Sequence, residues 1–230
     1  MYFSLITPAE GHERDAVHER LNGPYADHQW LWRWFPAERG TPRDFLFRQR
    51  EVDGIPRYYV VSHRAPVDEG GAWRAQTRDY APQVHEGERL QFELRANPTV
   101  RHGRDGKSKR HDVVMEAKKK MLAERGLPCW ADWTGADKPS LHAVVRPACS
   151  AWLLRRGEAL GFAPDTETLM VDGYDQHEEK QGQTLCFSTV DLSGQLTVTD
   201  PKAFQAALLG GVGSAKAFGC GLLLVRRVGA

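Results

Sequence analysis

Two parts of this chain carry residue types at spacings that can do chemistry. The first is Tyr25 and His28. Three residues apart on a helix, they share a face. Leu31 and Phe35 continue that face as an apolar stripe with a polar end. Histidine has an unperturbed pKa of about 6.5, so it can take or give a proton near neutrality without a metal. At the edge of an apolar stripe a histidine more often packs than reacts, and the tyrosine shifts that balance only slightly. The second part is Gly210-Gly211-Val212-Gly213-Ser214-Ala215-Lys216-Ala217-Phe218-Gly219-Cys220-Gly221. Its five glycines let backbone N–H groups approach a ligand, and Lys216 adds a charge. Successive free N–H groups form anion nests, which suits a sugar-phosphate backbone. A glycine-rich link between a helix and a strand would read the same way.

Charge supports a polyanionic partner. The 230 residues hold 31 Lys+Arg against 30 Asp+Glu, a net charge of +1. Neutrality hides an island: residues 1–94 carry −3, 95–120 carry +6 and 121–230 carry −2. The island holds Arg95, Arg101, Arg104, Lys107, Lys109, Arg110 and the run Lys118-Lys119-Lys120. Such a cluster attracts polyphosphates whatever the total charge; a solvated loop and helix face is the bland alternative. Familiar nucleotide and hydrolase signatures are absent. Gly106-Lys107-Ser108 resembles the end of a phosphate-binding loop, but Arg101 stands where its first glycine belongs. There is no HExxH and no GxSxG, and too little chain follows Gly211-Val212-Gly213 for a dinucleotide-binding unit.

The elements that must hold these residues follow from the pattern. Hydrophobic residues make up 41%, so the chain has a core to bury and is not disordered. No run approaches the roughly 18 apolar residues of a membrane span, and Met1 to Thr7 reads as a first strand rather than a signal peptide. Cys129, Cys149, Cys186 and Cys220 form no CxxC pair; they read as small core residues in a reducing cytoplasm, with no metal site or cofactor expected. Tyr2 to Thr7 predicts a strand, Pro24 to Phe35 a helix capped by Asn22 or Gly23, Asp44 to Arg50 and Arg57 to His63 two strands around Asp53-Gly54, and Trp73 to Tyr80 a fourth strand. Arg89 to Ala96 alternates as a strand, with Leu90, Phe92 and Leu94 on one face. A long insertion from Asn97 to Pro147 holds a helix from Asp112 to Arg125. After it come a helix Ala151 to Leu160 capped by Ser150, strands Glu167 to Tyr174 and Gln183 to Val190, and an extension Leu196 to Thr199 beyond a Ser193-Gly194 turn. A helix Pro201 to Leu209 capped by Asp200 and a strand Ala217 to Val228 close the chain. The order predicts an α+β fold of two tandem ferredoxin-like (RRM-like) βαββαβ domains, residues 1–85 and 86–230.

Several motifs resemble one family. Gly211-Val-Gly-Ser-Ala-Lys-Ala-Phe-Gly-Cys-Gly-Leu-Leu-Leu-Val225 resembles the C-terminal signature of the CRISPR-associated RNA-processing endoribonucleases. Val190-Asp-Leu-Ser-Gly-Gln-Leu-Thr-Val-Thr-Asp-Pro201, Leu94-Arg-Ala-Asn-Pro98, Lys109-Arg-His-Asp-Val-Val114 and Tyr25-Ala-Asp-His28 with Leu31-Trp32-Arg33 are similar to its type I-E branch, known as CasE. The resemblance runs in order along the whole chain. It implies binding of a CRISPR repeat RNA hairpin and metal-independent cleavage at the 3′ base of that hairpin. The products would be a 2′,3′-cyclic phosphate and a 5′-hydroxyl. It also implies that the product stays bound within the type I-E interference complex (Cascade), with no membrane partner. The matching positions assign His28 and Tyr25 as catalytic. Lys216, Gly211, Gly213 and Ser214 fall in the loop that contacts RNA, and Arg33, Arg101, Arg104, Lys107, Lys109 and Arg110 are expected to follow the RNA backbone. One departure stands out. Where the family presents basic residues to the RNA groove, the expected connection Asp172 to Gln181 holds Asp172, Asp175, Glu178 and Glu179 with Lys180 alone opposing them, so contact there falls to neighbours such as Tyr174, Gln176 and His177 or is weak. Two other functions fit the same residues: a non-catalytic subunit that holds an RNA hairpin, and an enzyme that uses the glycine loop for a nucleotide.

Overall fold

A computed structural model describes residues 1–19, 23–68, 70–104, 107–181 and 183–229. Strand alternation sets the first sheet. β1 (Tyr2–Pro8) buries Ser4 and Ile6, and β3 (Ile55–Ser62) buries Pro56, Tyr58 and Val60. They pair antiparallel with β2 (Phe45–Val52) and β4 (Trp73–Asp79) in the order β2-β3-β1-β4. The β2–β3 turn has positive φ at both Asp53 and Gly54, the geometry that a two-residue hairpin favours. Two short helices, α1 (Glu13–Glu19) and α2 (Gly23–Leu31), lie between β1 and β2. They replace the single helix expected from Pro24 to Phe35. Gly23 is the first helical residue rather than a cap, and Asn22 lies outside the described residues. Beyond Leu31 the amides of Arg33, Trp34 and Phe35 bond three residues back, tightening the chain into turns. Pro36 disfavours a helical Phe35. The tightening buries Trp34 and Phe35 with Trp30, Leu31, Phe45, Phe47 and Trp73. Among the described residues no helix joins β3 to β4.

The second sheet is built on β5 (Arg89–Ala96), whose Leu90, Phe92, Leu94 and Ala96 are buried. Its neighbours are β11 (Leu223–Arg227) and β10 (Gln183–Val198); β9 (Met170–Gln181) and the short β8 (Phe162–Pro164) pair with β10. Leaving β8 aside, the order β9-β10-β5-β11 repeats the second-third-first-fourth order of the first sheet. Both are ferredoxin-like. Three details differ from the expected elements. Helix α4 spans Leu141–Leu160 and is capped by Ser140, not Ser150. It runs through Pro147 because Val144, Val145, Cys149, Trp152 and Leu153 all bury against the sheet, which outweighs an interior proline's cost of about 3 kcal/mol. β10 does not turn at Ser193-Gly194: both residues pair with β5, and Gly194 is needed because a Cβ would stand 2.8 Å from the Thr168 carbonyl oxygen. The acidic segment from Asp172 is strand β9, not a connection. The insertion after β5 forms a hairpin, β6 (Thr99–Arg104) with β7 (Lys107–Asp112), and then α3 (Val113–Arg125). Asp200 caps α5 (Pro201–Gly210) as expected.

Cys149 and Cys220 are buried core residues, whereas Cys129 and Cys186 are exposed, against the expectation that all four would be buried. No described helix is long and apolar enough to cross a membrane. The two sheets meet in a small apolar cluster of Leu46, Val61 and Leu222. Beside it Asp191 receives Arg95 at 2.6 Å and Arg48 at 3.4 Å, while Arg50 reaches Glu93 at 2.8 Å. The glycine-rich segment lies along this seam. A Cβ on Gly211 would come within 2.9 Å of Leu46, and one on Gly219 within 3.2 Å of Phe47.

Candidate functional site

His28 sits on α2, half-buried, between Trp32 and Phe45. Its Nε2 accepts from the Trp32 indole N–H at 3.3 Å. An indole nitrogen only donates, so the neutral ring carries its proton on Nδ1. That atom is buried without a partner. Burial, and then the charge of Arg43, hold His28 below its ordinary pKa. Trp30 and Trp34 are core residues, as their helical spacing predicts; Trp32 is half-buried and positions the histidine. The Tyr25 side chain lies outside the described residues.

Arg43 lies two residues before Phe45, the first residue of β2, and its guanidinium lies 5.8 Å from the centre of the Phe45 ring. Nothing in its sequence neighbourhood marks it, because only the fold brings it to α2 and the glycine loop. Burial lowers its pKa. Lys216 belongs to a 3-10 turn, Lys216–Phe218, packed on α2 and β2. Its Nζ donates to the Gly210 carbonyl at the end of α5 at 2.5 Å. Burial first, and Arg43 second, lower the Lys216 pKa. A guanidinium, an ammonium and an imidazole thus gather at the seam.

The loop before Lys216 is shaped as a nest. Gly211, Gly213 and Ala215 have positive φ while Val212 and Ser214 do not, so positive-φ residues alternate with ordinary ones. Among the described residues the amides of Gly213 and Ser214 donate to no backbone acceptor. The Ser214 hydroxyl is held in a chain: it donates to Asn97 Oδ1 at 2.8 Å, lies 3.0 Å from the Thr99 hydroxyl, and Asn97 Nδ2 donates to the Ser188 carbonyl at 2.7 Å.

The basic residues divide. In the β6–β7 register Arg101 faces Arg110, and the two share with Thr99 the hairpin face that borders the loop. With Arg156 of α4, Gly211, Gly213 and Ser214 they line a cavity of about 390 Å³ that no carboxylate of the described residues lines. Arg156 was not anticipated; its helical neighbours show no basic pattern. Like charges set directly opposite each other destabilise a hairpin, so this pair does not favour folding. Lys109 falls on the other face, paired with His102. There His102 Nε2 reaches Glu116 Oε1 at 2.6 Å. Arg104 and Lys107 pair across the hairpin, but their side chains lie outside the described residues. Arg33 is exposed and lies 3.9 Å from Glu19, away from the loop hairpin. Of the residues near the acidic strand, Tyr174 donates to Asp112 at 3.1 Å and is pushed above its ordinary pKa by burial and that carboxylate. His177 stacks on Phe187 and Phe187 on Phe218, at 4.8 and 4.6 Å, tying the β9–β10 hairpin to the turn of Lys216. This aromatic ladder joins residues from three separate segments, so no single sequence motif reveals it. Among the described residues no group of three or more His, Cys, Asp or Glu could hold a metal ion.

Comparison with known families decides the affiliation. The family described as "CRISPR associated protein" has a sequence model that matches residues 1–227. The chain belongs to this CRISPR-associated family. It is 31% identical, over 91% of its length and 93% of the relative's, to the CRISPR-associated endoribonuclease Cse3 of Thermus thermophilus. It is 28% identical, over 97% of its length and 98% of the relative's, to the CRISPR system Cascade subunit CasE of Escherichia coli. Its fold matches Thermus thermophilus Cse3 bound to an RNA representing a pre-cleavage complex, with a TM-score of 0.66, 24% identity and coverage of 98% of this chain and 99% of that one. Within this CRISPR-associated family the tandem ferredoxin-like arrangement is the shared scaffold, and the seam between its sheets is where the cationic groups of this chain gather.

Proposed function

We propose that this protein is an endoribonuclease that cleaves CRISPR precursor RNA at the 3′ base of the repeat hairpin. It leaves a 2′,3′-cyclic phosphate and a 5′-hydroxyl, and it retains the guide RNA in the type I-E interference complex. The observation that carries this reading is the seam itself: His28, Arg43 and Lys216 beside a loop with unbonded amides. The relatives named as an endoribonuclease and as a Cascade subunit support the activity and the assembly.

The chemistry needs little from the protein. The 2′-hydroxyl of the RNA attacks the adjacent phosphorus, so the substrate supplies its own nucleophile and metal is not required to make one. The bond from 2′-oxygen to phosphorus forms as the bond to O5′ breaks. One proton leaves the 2′-oxygen and one reaches O5′. His28 is the proton-transfer group, and its burial favours the neutral ring, the form that accepts a proton. Tyr25, one turn earlier on α2, orients the phosphate or ribose. Lys216 and the amides of Gly213 and Ser214 stabilise the charge that develops on phosphorus. Arg101 and Arg110 with Gly211 hold the RNA backbone. Lys109, Arg104, Lys107 and Arg33 extend the basic surface around them. Residues 1–85 supply the proton-transfer helix and residues 86–230 the RNA-holding loop and hairpin, as two units working in the cytoplasm.

A hairpin with a single 2′-deoxy nucleotide at the cut site should bind as the all-ribose hairpin does and remain intact. Efficient cutting of that substrate would overturn the reading. One observation favours a non-catalytic, hairpin-holding subunit: Nε2 of His28 is already engaged by Trp32. That alternative predicts no cutting by the wild type on a cognate repeat.

A further inference from the structure

Arg43 has no work inside the fold. Its Nε and Nη1 are buried and have no hydrogen-bond partner. Asp44 and Arg48 also hold buried atoms with no hydrogen-bond partner, but each has an ion pair, Asp44 with Arg64 at 2.8 Å and Arg48 with Asp191 at 3.4 Å. No described carboxylate forms an ion pair with Arg43. A half-buried guanidinium without an acceptor costs stability, and folds keep such groups where a ligand brings the missing acceptors.

The ligand must be an anion. Arg43 is close enough to both His28 and Lys216 for its charge to act on each. The Phe45 ring supports Arg43 at 5.8 Å and His28 at 6.4 Å, so one aromatic side chain props both groups. A guanidinium matches the oxygens of a phosphodiester better than an ammonium does, because its donors are planar and fixed.

We propose that Arg43 is a catalytic residue: it donates hydrogen bonds to the non-bridging oxygens of the scissile phosphodiester, beside His28 and Lys216. This rests on the nuclease reading above. As the 2′-oxygen bonds to phosphorus and O5′ departs, negative charge grows on those oxygens. Arg43 stabilises it without giving up its own proton, and the proton balance stays with the 2′-oxygen, the base and O5′.

The test is single-turnover cleavage by wild type, Arg43→Gln and Arg43→Lys, with affinity measured separately on the 2′-deoxy hairpin and thermal unfolding on each protein. Removing one such donor lowers the rate by about 100- to 1,000-fold. We expect that loss in Arg43→Gln, partial recovery in Arg43→Lys, and affinity retained within about threefold. The melting temperature should hold or rise, since the lost charge had no partner. Arg43→Gln that cuts within about threefold of wild type would overturn the proposal. So would equal rate losses in both variants that track a fall in melting temperature, because that marks a structural role. If the wild type itself fails to cut, the nuclease reading is what falls, and Arg43 falls with it.

Discussion

His28 combines a depressed pKa with a defined tautomer, and both have consequences. Burial and Arg43 favour its neutral form, so as a base it stays competent below pH 6.5. The acid limb of the cleavage rate should therefore have its midpoint below about pH 6.5. A rate–pH curve still rising steeply between pH 7 and 8 would remove His28 from the role of base. Stability carries the same sign. The unfolded histidine takes up its proton near pH 6.5, before the folded one does, so wild type loses stability as pH falls through that value and His28→Gln does not show this loss. The sequence made His28 and Lys216 legible because each lies in a short motif. Arg43 was invisible for the opposite reason: its role depends on the fold bringing the start of β2 to the α2 helix and the glycine loop. The contact of Trp32 was not legible, since spacing along a helix cannot reveal that an indole N–H meets an imidazole nitrogen.

Among the elements, the glycine loop makes the sharpest demand on its sequence. Gly211 has a φ of 76°, and an added Cβ would sit 3.0 Å from the Gly221 carbonyl oxygen and 2.9 Å from Leu46. Gly211→Ala should cost about 1–3 kcal/mol in urea unfolding and weaken cleavage. Gly210→Ala, in α5 with nothing within 4 Å of its added Cβ, should be neutral or slightly stabilising. Equal stability of the two variants would show that the loop does not need its left-handed residue. For the β6–β7 hairpin, Arg101→Ala with Arg110→Ala should weaken RNA binding and lower the slope of log affinity against log salt by about 0.7 for each lost phosphate contact. An unchanged slope would take these two arginines off the RNA path. Strand alternation and capping made β5 and α5 legible. The β6–β7 hairpin was missed because charged residues on both strands hide the strand pattern, and the start of α4 was missed because Pro147 reads as a stop. Only burial of Val144, Val145 and Trp152 reveals that the helix continues.

At the scale of the whole molecule, function depends on the two sheets keeping their seam. Asp191 anchors it by receiving Arg95 and Arg48. Asp191→Asn removes the charge that Arg95 and the largely buried Arg48 share, and leaves Arg48 with Glu93 alone at 3.9 Å. Allowing for solvent at the other two side chains, the loss should be about 2 kcal/mol in urea unfolding, with a fall in cleavage as the glycine loop shifts against α2. Full stability of Asp191→Asn would mean that apolar contacts alone hold the seam. The tandem ferredoxin-like order could be read from the succession of elements, whereas the seam contacts pair residues far apart in sequence and could not. Cutting of RNA at this seam through His28 is open to a direct test. The direct measurement is cleavage of a labelled cognate repeat hairpin in EDTA, wild type beside His28→Ala, with product ends determined. The account predicts that wild type cuts at the hairpin's 3′ base and leaves a cyclic phosphate. His28→Ala should bind equally well and cut about 100- to 10,000-fold more slowly. Equal cutting by both proteins, or a wild type that binds the cognate hairpin and leaves it whole, would contradict it.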